Sequence, residues 1–171
     1  VHEGTYREQI NPIRGGDSDS KRILYRAAPG EKVQIKGSEV LTGWQHVKGT
    51  VWKVIIPDSF FGDYHPFRDS VHGDWFHSLG RIHLTGDVFL NGKSLYEVET
   101  MDKVYKPEIE PGINDAEGRN YTWYCENQGD QTTIWANFQK YNPNSELVEA
   151  SARRTCFFPE KSIIIPRVLL K

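Results

Sequence analysis

The stretch DVFLNGKSLYEV, Asp87–Val98, indicates the fold class of this 171-residue chain. Two short runs of strand-forming residues lie on either side of Asn91-Gly92. Asparagine and glycine adopt the positive φ angles of a type I′ turn at little cost, and such a turn joins two antiparallel strands. The stretch therefore predicts a β-hairpin.

Other parts of the chain repeat this alternation of short β runs and turn residues. The runs GWQHV and TVWKVIIP flank Lys48-Gly49, and NYTWYCEN and TTIWANF flank a turn at Gln128–Asp130. Further β runs are RILYRA, KVQIKG and ELVEASARRTCFF, whereas helical signals are limited to about one turn near Glu99–Val104. Closely spaced strands of this kind predict an all-β sandwich.

Composition excludes some partners. With 21 basic and 23 acidic residues, the net charge of −2 favours neither nucleic acid nor an anionic membrane surface. No apolar run approaches the ~20 residues that a membrane-spanning helix needs. We therefore expect no nucleic acid and no membrane as partners. The start, VHEGTYRE, shows no signal peptide and no Met, which slightly favours a cytoplasmic protein with an incomplete amino terminus.

The two cysteines, Cys125 and Cys156, are expected to be free thiols in strands rather than a disulfide, since a free cysteine packs as a small hydrophobe. Neither lies in a C-x-x-C motif, so a cysteine-based zinc site is not predicted. No other motif requires a cofactor, and we predict none.

The stretch SVHGDWFHSLG, Ser70–Gly80, is dense in residues that carry chemistry. A metal site would use His72, Asp74 and His77, but the two histidines lack the i, i+4 spacing of a helical zinc motif. A catalytic triad lacks a serine in a nucleophile elbow. The aromatic residues are either core or a sugar-binding shelf, in which the indole of Trp75 contacts the apolar face of a pyranose.

The other four tryptophans lie in predicted strands, where core packing is the expected role. The alternative is that two of them line an open sheet face, as in carbohydrate-binding modules. These residues are Trp44, Trp52, Trp123 and Trp135.

A series of stretches resembles the amino-terminal part of the glycoside hydrolase family 120 β-xylosidases. They cover nearly the whole chain up to Lys161, and their shared order makes the resemblance specific. The matching stretches are VHEGTYRE, KRILYRAAPGEKVQIKGSE, GWQHVKGTVWKV, DSFFGDYHPF, GDWF, GDVFLNGKSLYEV, TTIWANFQKYNPNSELVE and RRTCFFPEK.

This resemblance implies a right-handed parallel β-helix with an inserted immunoglobulin-like β-sandwich. It places remnant β-helix strands at residues 1–37, the sandwich at 38–148, and a return strand with a divergent tail at 149–171. The end, SIIIPRVLLK, departs from the family and suggests a truncated or frame-shifted copy. The remnant strands would lack stacking partners, so we expect a homodimer through exposed strands.

The resemblance also implies retaining hydrolysis of β-1,4-xylo-oligosaccharides by two carboxylates. In the family both lie downstream in the β-helix, and no residue here matches them, so no catalytic residue is assigned. The acidic residues Asp63, Asp69, Asp87, Glu97 and Glu126 give no specific signal of a pair.

The Gly-Asp-Trp motif resembles the place where the inserted domain supplies an aromatic wall to the xylose site. Trp75 and Asp74 are therefore the predicted substrate-binding residues, with xylo-oligosaccharides or related plant polysaccharide fragments as partners. Two other functions stay open, an autonomous module that binds xylan-type sugars and a purely structural or protein-interaction sandwich.

Overall fold

The computed structural model describes residues 1–18, 20–108 and 114–158, and describes 169–170 as a strand. The strands in chain order are β1 (Gly4–Tyr6), β2 (Leu24–Tyr25), β3 (Val33–Ile35), β4 (Ser38–Val40), β5 (Gln45–Lys48), β6 (Val51–Pro57), β7 (Val88–Leu90), β8 (Lys93–Ser94), β9 (Tyr96–Glu97), β10 (Thr122–Gln128), β11 (Gln131–Asn137), β12 (Val148–Ser151) and β13 (Leu169–Leu170). Helix α1 is Met101–Tyr105, and 3-10 turns span Asp58–Phe61 and Gly118–Asn120.

The chain divides into two compact units, one formed by Val1–Gly37 with Arg153–Lys171 and the other by Ser38–Ala152. In the described part of the first unit the strands pair in parallel, β1 with β3 and β13 with β2. A further parallel bridge joins Ile10 to Phe157. The domain limits drawn from the sequence, with a remnant β-helix on either side of the sandwich, stay a prediction.

The second unit consists of two sheets. One has five strands in the order β5-β6-β11-β10-β9, and the other has four in the order β4-β12-β7-β8. Pairing is antiparallel except between β9 and β10, which run in parallel. This arrangement confirms the predicted all-β sandwich.

The hairpin predicted at Asn91-Gly92 is confirmed, with φ angles of 52° and 81° at the two turn residues. Strands β7 and β8 pair across it, with Leu90 opposite Lys93. The second β run does not continue in the same sheet, however. At Leu95, which is only 4% exposed, the chain enters the core and crosses to the five-stranded sheet, where it forms β9.

The core lies between the two sheets. Trp44 and Trp123 are 3% and 1% exposed, which confirms their predicted core role. Trp52 is half-buried and packs against the same cluster. Trp135 is also half-buried, but it pairs with Tyr124, whose alternation places it on the opposite face of β10 from Trp123. The core prediction therefore does not hold in full for Trp135.

Helix α1 confirms the helical turn expected near residues 99–104 and packs against β10 and β11. Val104 is fully buried, and the side-chain amide of Asn137 donates to its carbonyl oxygen at 2.9 Å. In the ranges 1–18, 20–108 and 114–158, no helix has both the length and the apolar character needed to traverse a lipid bilayer.

Candidate functional site

The site is built on the long connection between β6 and β7, residues 58–87. We call residues 58–71 and 83–87 its base and residues 72–82 its tip. The base is part of the core, since Phe61 and Phe67 are 4% and 0% exposed. The ring of Phe67 meets that of Trp123 edge to face at 5.4 Å. The base of the connection is therefore anchored in the core of the sandwich.

Main-chain hydrogen bonds close the base beneath the tip. The amide of Val71 donates to the carbonyl of His83 at 2.8 Å, and the amide of Thr85 donates to that of Asp69 at 3.0 Å. Ser70 and Leu84 form an antiparallel bridge between them. Both ends of the tip are thus held together by a short antiparallel neck.

A polar cluster at Asp58 ties the base to the β10–β11 hairpin. Its carboxylate lies 3.1 Å from His65 Nε2 and 2.7 Å from Arg68 Nη2, and the same arginine nitrogen donates to the carbonyl of Gly129 at 2.7 Å. The hydroxyl of Thr132 is 3.2 Å from the carboxylate. Desolvation works against the Asp58 anion, but the hydrogen bond from His65 and the charge of Arg68 outweigh it, so its pKa is lowered.

The tip presents apolar side chains to solvent. Trp75 is 77% exposed, Leu79 85% and Ile82 76%, while Asp74 is also exposed. The predicted sugar-binding residues are therefore accessible neighbours, and their role stays a prediction. An exposed apolar group of this kind is typical of an interaction site.

Gly73 explains how the indole lies over the turn. Its φ angle is 141°, and a Cβ atom added there would stand 2.7 Å from Nε1 of Trp75. The amide of Phe76 donates to the Gly73 carbonyl at 3.1 Å and closes the turn. Glycine is required both for the backbone conformation and for the space that the indole occupies.

Behind the tip, a charged cluster joins it to strand β9. Glu97 Oε1 accepts from the Leu84 amide at 3.1 Å, and its Oε2 lies 3.7 Å from His83 Nδ1. Arg81 Nε is 3.1 Å from His83 Nε2, which is also 3.2 Å from the carbonyl oxygen of Ser78. Arg81 Nη1 donates to the Glu97 carbonyl at 3.3 Å.

A pocket of about 260 Å³ adjoins this cluster and is lined in part by Arg81, Ile82, Glu97 and Cys125. Burial raises the pKa of Glu97, against the opposing effects of the Leu84 amide, Arg81 and His83. Burial, aided by the charge of Glu97, raises the pKa of the Cys125 thiol to about 12. Cys125 is a free cysteine, as is Cys156, and this high pKa makes Cys125 an inert packing residue.

From the sequence alone Glu97 has no special role, although one signal is present. In the run Leu95–Glu97, strand alternation puts the carboxylate on the same side as a buried leucine. Asp87 is a second half-buried carboxylate with a raised pKa, again because of desolvation. It accepts from the Val88 amide and the Ser94 hydroxyl, and does not line the Glu97 pocket. These internal contacts give no support to a catalytic pair.

The histidines of the β6–β7 connection make different contacts. His65 lies against Asp58, and His72 Nδ1 is 2.7 Å from the Ser70 carbonyl oxygen. His77 is exposed in the tip. In the part of the chain that the structure describes, no three His, Cys, Asp or Glu side chains are grouped as metal ligands.

A solved structure described as "The complex structure of XylC with xylose" superposes with a TM-score of 0.89 at 44% sequence identity. The match covers 94% of this chain and 27% of that one, so the chain spans about a quarter of the length of its relative. No curated protein matches.

Fold and sequence together define an insertion domain of a glycoside hydrolase. The family model described as "Glycoside hydrolase 120, insertion domain" matches residues 41–150. The chain belongs to this family, which confirms the resemblance stated from its sequence.

Proposed function

We propose that this chain is the accessory sandwich of a β-xylosidase-like glycoside hydrolase that cleaves β-1,4-xylo-oligosaccharides with retention. In this proposal Trp75 and Asp74 form an aromatic wall of the sugar site, and the catalytic carboxylates lie outside this chain. The 44% identity to a protein solved with xylose supports the sugar class.

The observation that carries the proposal is the exposure of one indole. Trp75 is 77% exposed, whereas Trp44 and Trp123 are buried in the core. An indole offers a flat apolar face that can stack on the C–H face of a pyranose, and the exposed carboxylate of Asp74 can accept from a sugar hydroxyl. Because the neck holds both ends of the tip, this surface exists before any sugar binds.

The parallel pairing of β1 with β3, and of Ile10 with Phe157, supports the further proposal that the first unit contributes strands to a parallel β-helix. Stacked parallel strands are what such a helix is made of. Its residues would then continue into the catalytic body of the hydrolase.

A second candidate is an autonomous carbohydrate-binding module, favoured by one specific observation. On the outer face of the five-stranded sheet, the rings of Tyr124 and Trp135 stand 6.2 Å apart with 30° between their planes. Both side chains are half-buried, so part of each ring reaches solvent. Such a face could carry sugar without the tip.

Calorimetric titration with xylobiose and xylotriose separates the candidates. We expect Trp75→Ala to weaken binding about tenfold, which corresponds to about 1.4 kcal/mol. The matched control is Ile13→Ala, which truncates an apolar side chain that is 82% exposed but lies outside the tip and should leave the affinity unchanged.

Three results would count against the proposal that Trp75 and Asp74 form an aromatic wall while the catalytic carboxylates lie outside this chain. Loss of binding in Trp135→Ala but not in Trp75→Ala would support the binding-module face instead. Absence of binding by the unmodified chain would favour a purely structural sandwich. Turnover of an aryl β-xyloside that a single carboxylate substitution in this chain abolishes would place the catalytic residues here.

A further inference from the structure

The exposed indole of Trp75 is connected to the sandwich by a line of ring contacts. Its ring meets that of Phe76 edge to face at 5.8 Å, and the ring of Phe76 meets that of His83 at 5.4 Å with 89° between the planes. His83 Nδ1 in turn faces the carboxylate of Glu97 at 3.7 Å. Glu97, a residue of strand β9, therefore lies at the sandwich end of this series of contacts.

Glu97 contacts the segment through which the chain leaves the tip. It accepts from the Leu84 amide at 3.1 Å through Oε1 and faces His83 through Oε2, while Arg81 bonds to its main-chain carbonyl. Three residues at this end of the tip, Arg81, His83 and Leu84, thus approach one glutamate. Its backbone is held in register opposite Trp123 in β10.

We propose that Glu97 is a positioning residue for the sugar wall, holding His83 and Phe76 so that Trp75 is presented in one orientation. This inference rests on the proposed function for its sugar readout, but the orientation of the indole can be measured without any sugar. Neither Glu97 nor His83 needs to touch the ligand.

The environment of Glu97 allows its effect on the orientation of Trp75 to be measured separately from its effect on folding. Desolvation disfavours the Glu97 anion, so the neutral amide of Glu97→Gln should not unfold the sandwich. It can still accept from the Leu84 amide, but it loses the charge that attracts Arg81 and His83. The indole should therefore lose its orientation while the core remains folded.

The contacts of Glu97 also predict that the orientation of Trp75 depends on pH. The charged or titratable groups that face Glu97 are Arg81 and His83 from the connection, Asp87 before β7, and Cys125 on β10. Since the pKa of Glu97 is raised, its charge is lost at a higher pH than that of an ordinary glutamate as the solution is acidified. The presentation of Trp75 should weaken in that same acid range.

The test uses the full chain labelled with 5-fluorotryptophan and followed by ¹⁹F NMR between about pH 4 and about pH 8. Trp75→Phe identifies the Trp75 resonance. We expect Glu97→Gln to shift and narrow that resonance, to leave the other four in place, and to remove its acid-range titration. The matched control is Glu99→Gln, because Glu99 lines the same pocket but pairs with Lys103, which lowers its pKa.

Xylobiose titration supplies the second readout, with affinity expected to fall about fivefold in Glu97→Gln, the lower end of coupling between sites. An unchanged Trp75 resonance and pH profile in Glu97→Gln would overturn the inference. So would an equal effect of Glu99→Gln. If the resonance responds as expected but no variant binds xylobiose, the proposed function fails while the positioning role stands.

Discussion

Replacement of Phe67 by alanine tests whether the base of the β6–β7 connection belongs to the sandwich core. The side chain is fully buried although it lies in a segment without regular structure. It touches the ring of Phe61 at 5.6 Å and that of Trp123 at 5.4 Å. Gly86 lies so close beneath it that a Cβ there would stand 2.9 Å from the ring.

Truncation of a buried phenylalanine to alanine costs about 3–5 kcal/mol, including the cavity it leaves. The edge-to-face contact with Trp123 accounts for about 1 kcal/mol of this. Since tightly packed rings and a glycine surround the site, little collapse is available, and we expect about 4 kcal/mol. The hydrogen bond from Asn127 to the Phe67 carbonyl involves only the main chain at this position and should persist.

Urea denaturation followed by tryptophan fluorescence measures this cost. With a denaturant slope of about 2 kcal/mol per molar, the midpoint should fall by about 2 M. Phe67→Leu, which keeps most of the volume, should cost only about 1 kcal/mol and remains measurable if the alanine variant does not fold. The matched control is Phe60→Ala, because Phe60 is 36% exposed in the same connection and should cost about 1 kcal/mol.

The reasoning fails if Phe67→Ala is no more destabilising than Phe60→Ala. The base would then be a surface loop lying on the sandwich, and the tip would have no rigid support.

Two further predictions concern the tip and the polar cluster of the base. Gly73→Ala should displace the Trp75 indole and weaken xylobiose binding, while lowering the free energy of unfolding by about 1 kcal/mol; unchanged calorimetric titration and ¹⁹F spectra would contradict this. Because the folded-state pKa of Asp58 is lowered, its stabilising contribution is present above the unfolded pKa and is lost as pH falls through the folded one. Asp58→Asn should therefore be destabilising near neutrality but not in strong acid, and urea denaturation at several pH values that showed a constant difference would argue against it.

Features that depend on a few neighbouring residues could be predicted from the sequence. The turn at Asn91-Gly92 follows from the φ angles those residues accept, and the turn at Gly129 follows in the same way, with φ of 59°. The short helix Met101–Tyr105 also lies where the sequence placed a helical turn. In each case the deciding energies are local.

Features that depend on distant contacts could not be predicted in this way. The base of the connection looks irregular in sequence, yet Phe67 is a core residue whose carbonyl accepts from Asn127, sixty residues later. The crossing of the chain at Leu95 likewise depends on the pairing of β9 with β10, whose residues lie about 25 positions further along the chain. Strand alternation puts Trp123 and Tyr124 on opposite faces of β10, but alternation alone does not say which face is covered.

The candidate site also contains one part that the sequence predicts and one part that depends on distant contacts. Trp75 and Asp74 are predicted from residue type and from the family resemblance of the Gly-Asp-Trp motif, and both are exposed at the surface. Glu97 is not predicted, because its importance comes from a charged cluster that the fold assembles from two separate segments.

The contrast between base and tip has a physical consequence for binding. The base is ordered by core burial, a main-chain neck and the Asp58 cluster, so its conformational entropy is lost on folding and not on binding. A short, glycine-containing tip on such a support can present an indole with little further ordering, which is how preorganisation raises affinity. No other described residue covers the exposed side chains of Trp75, Leu79 and Ile82. We therefore expect this apolar surface to contact a ligand or another part of the hydrolase. Sugar binding that is lost with Trp75, and weakened when Glu97 loses its charge, would follow directly from that arrangement.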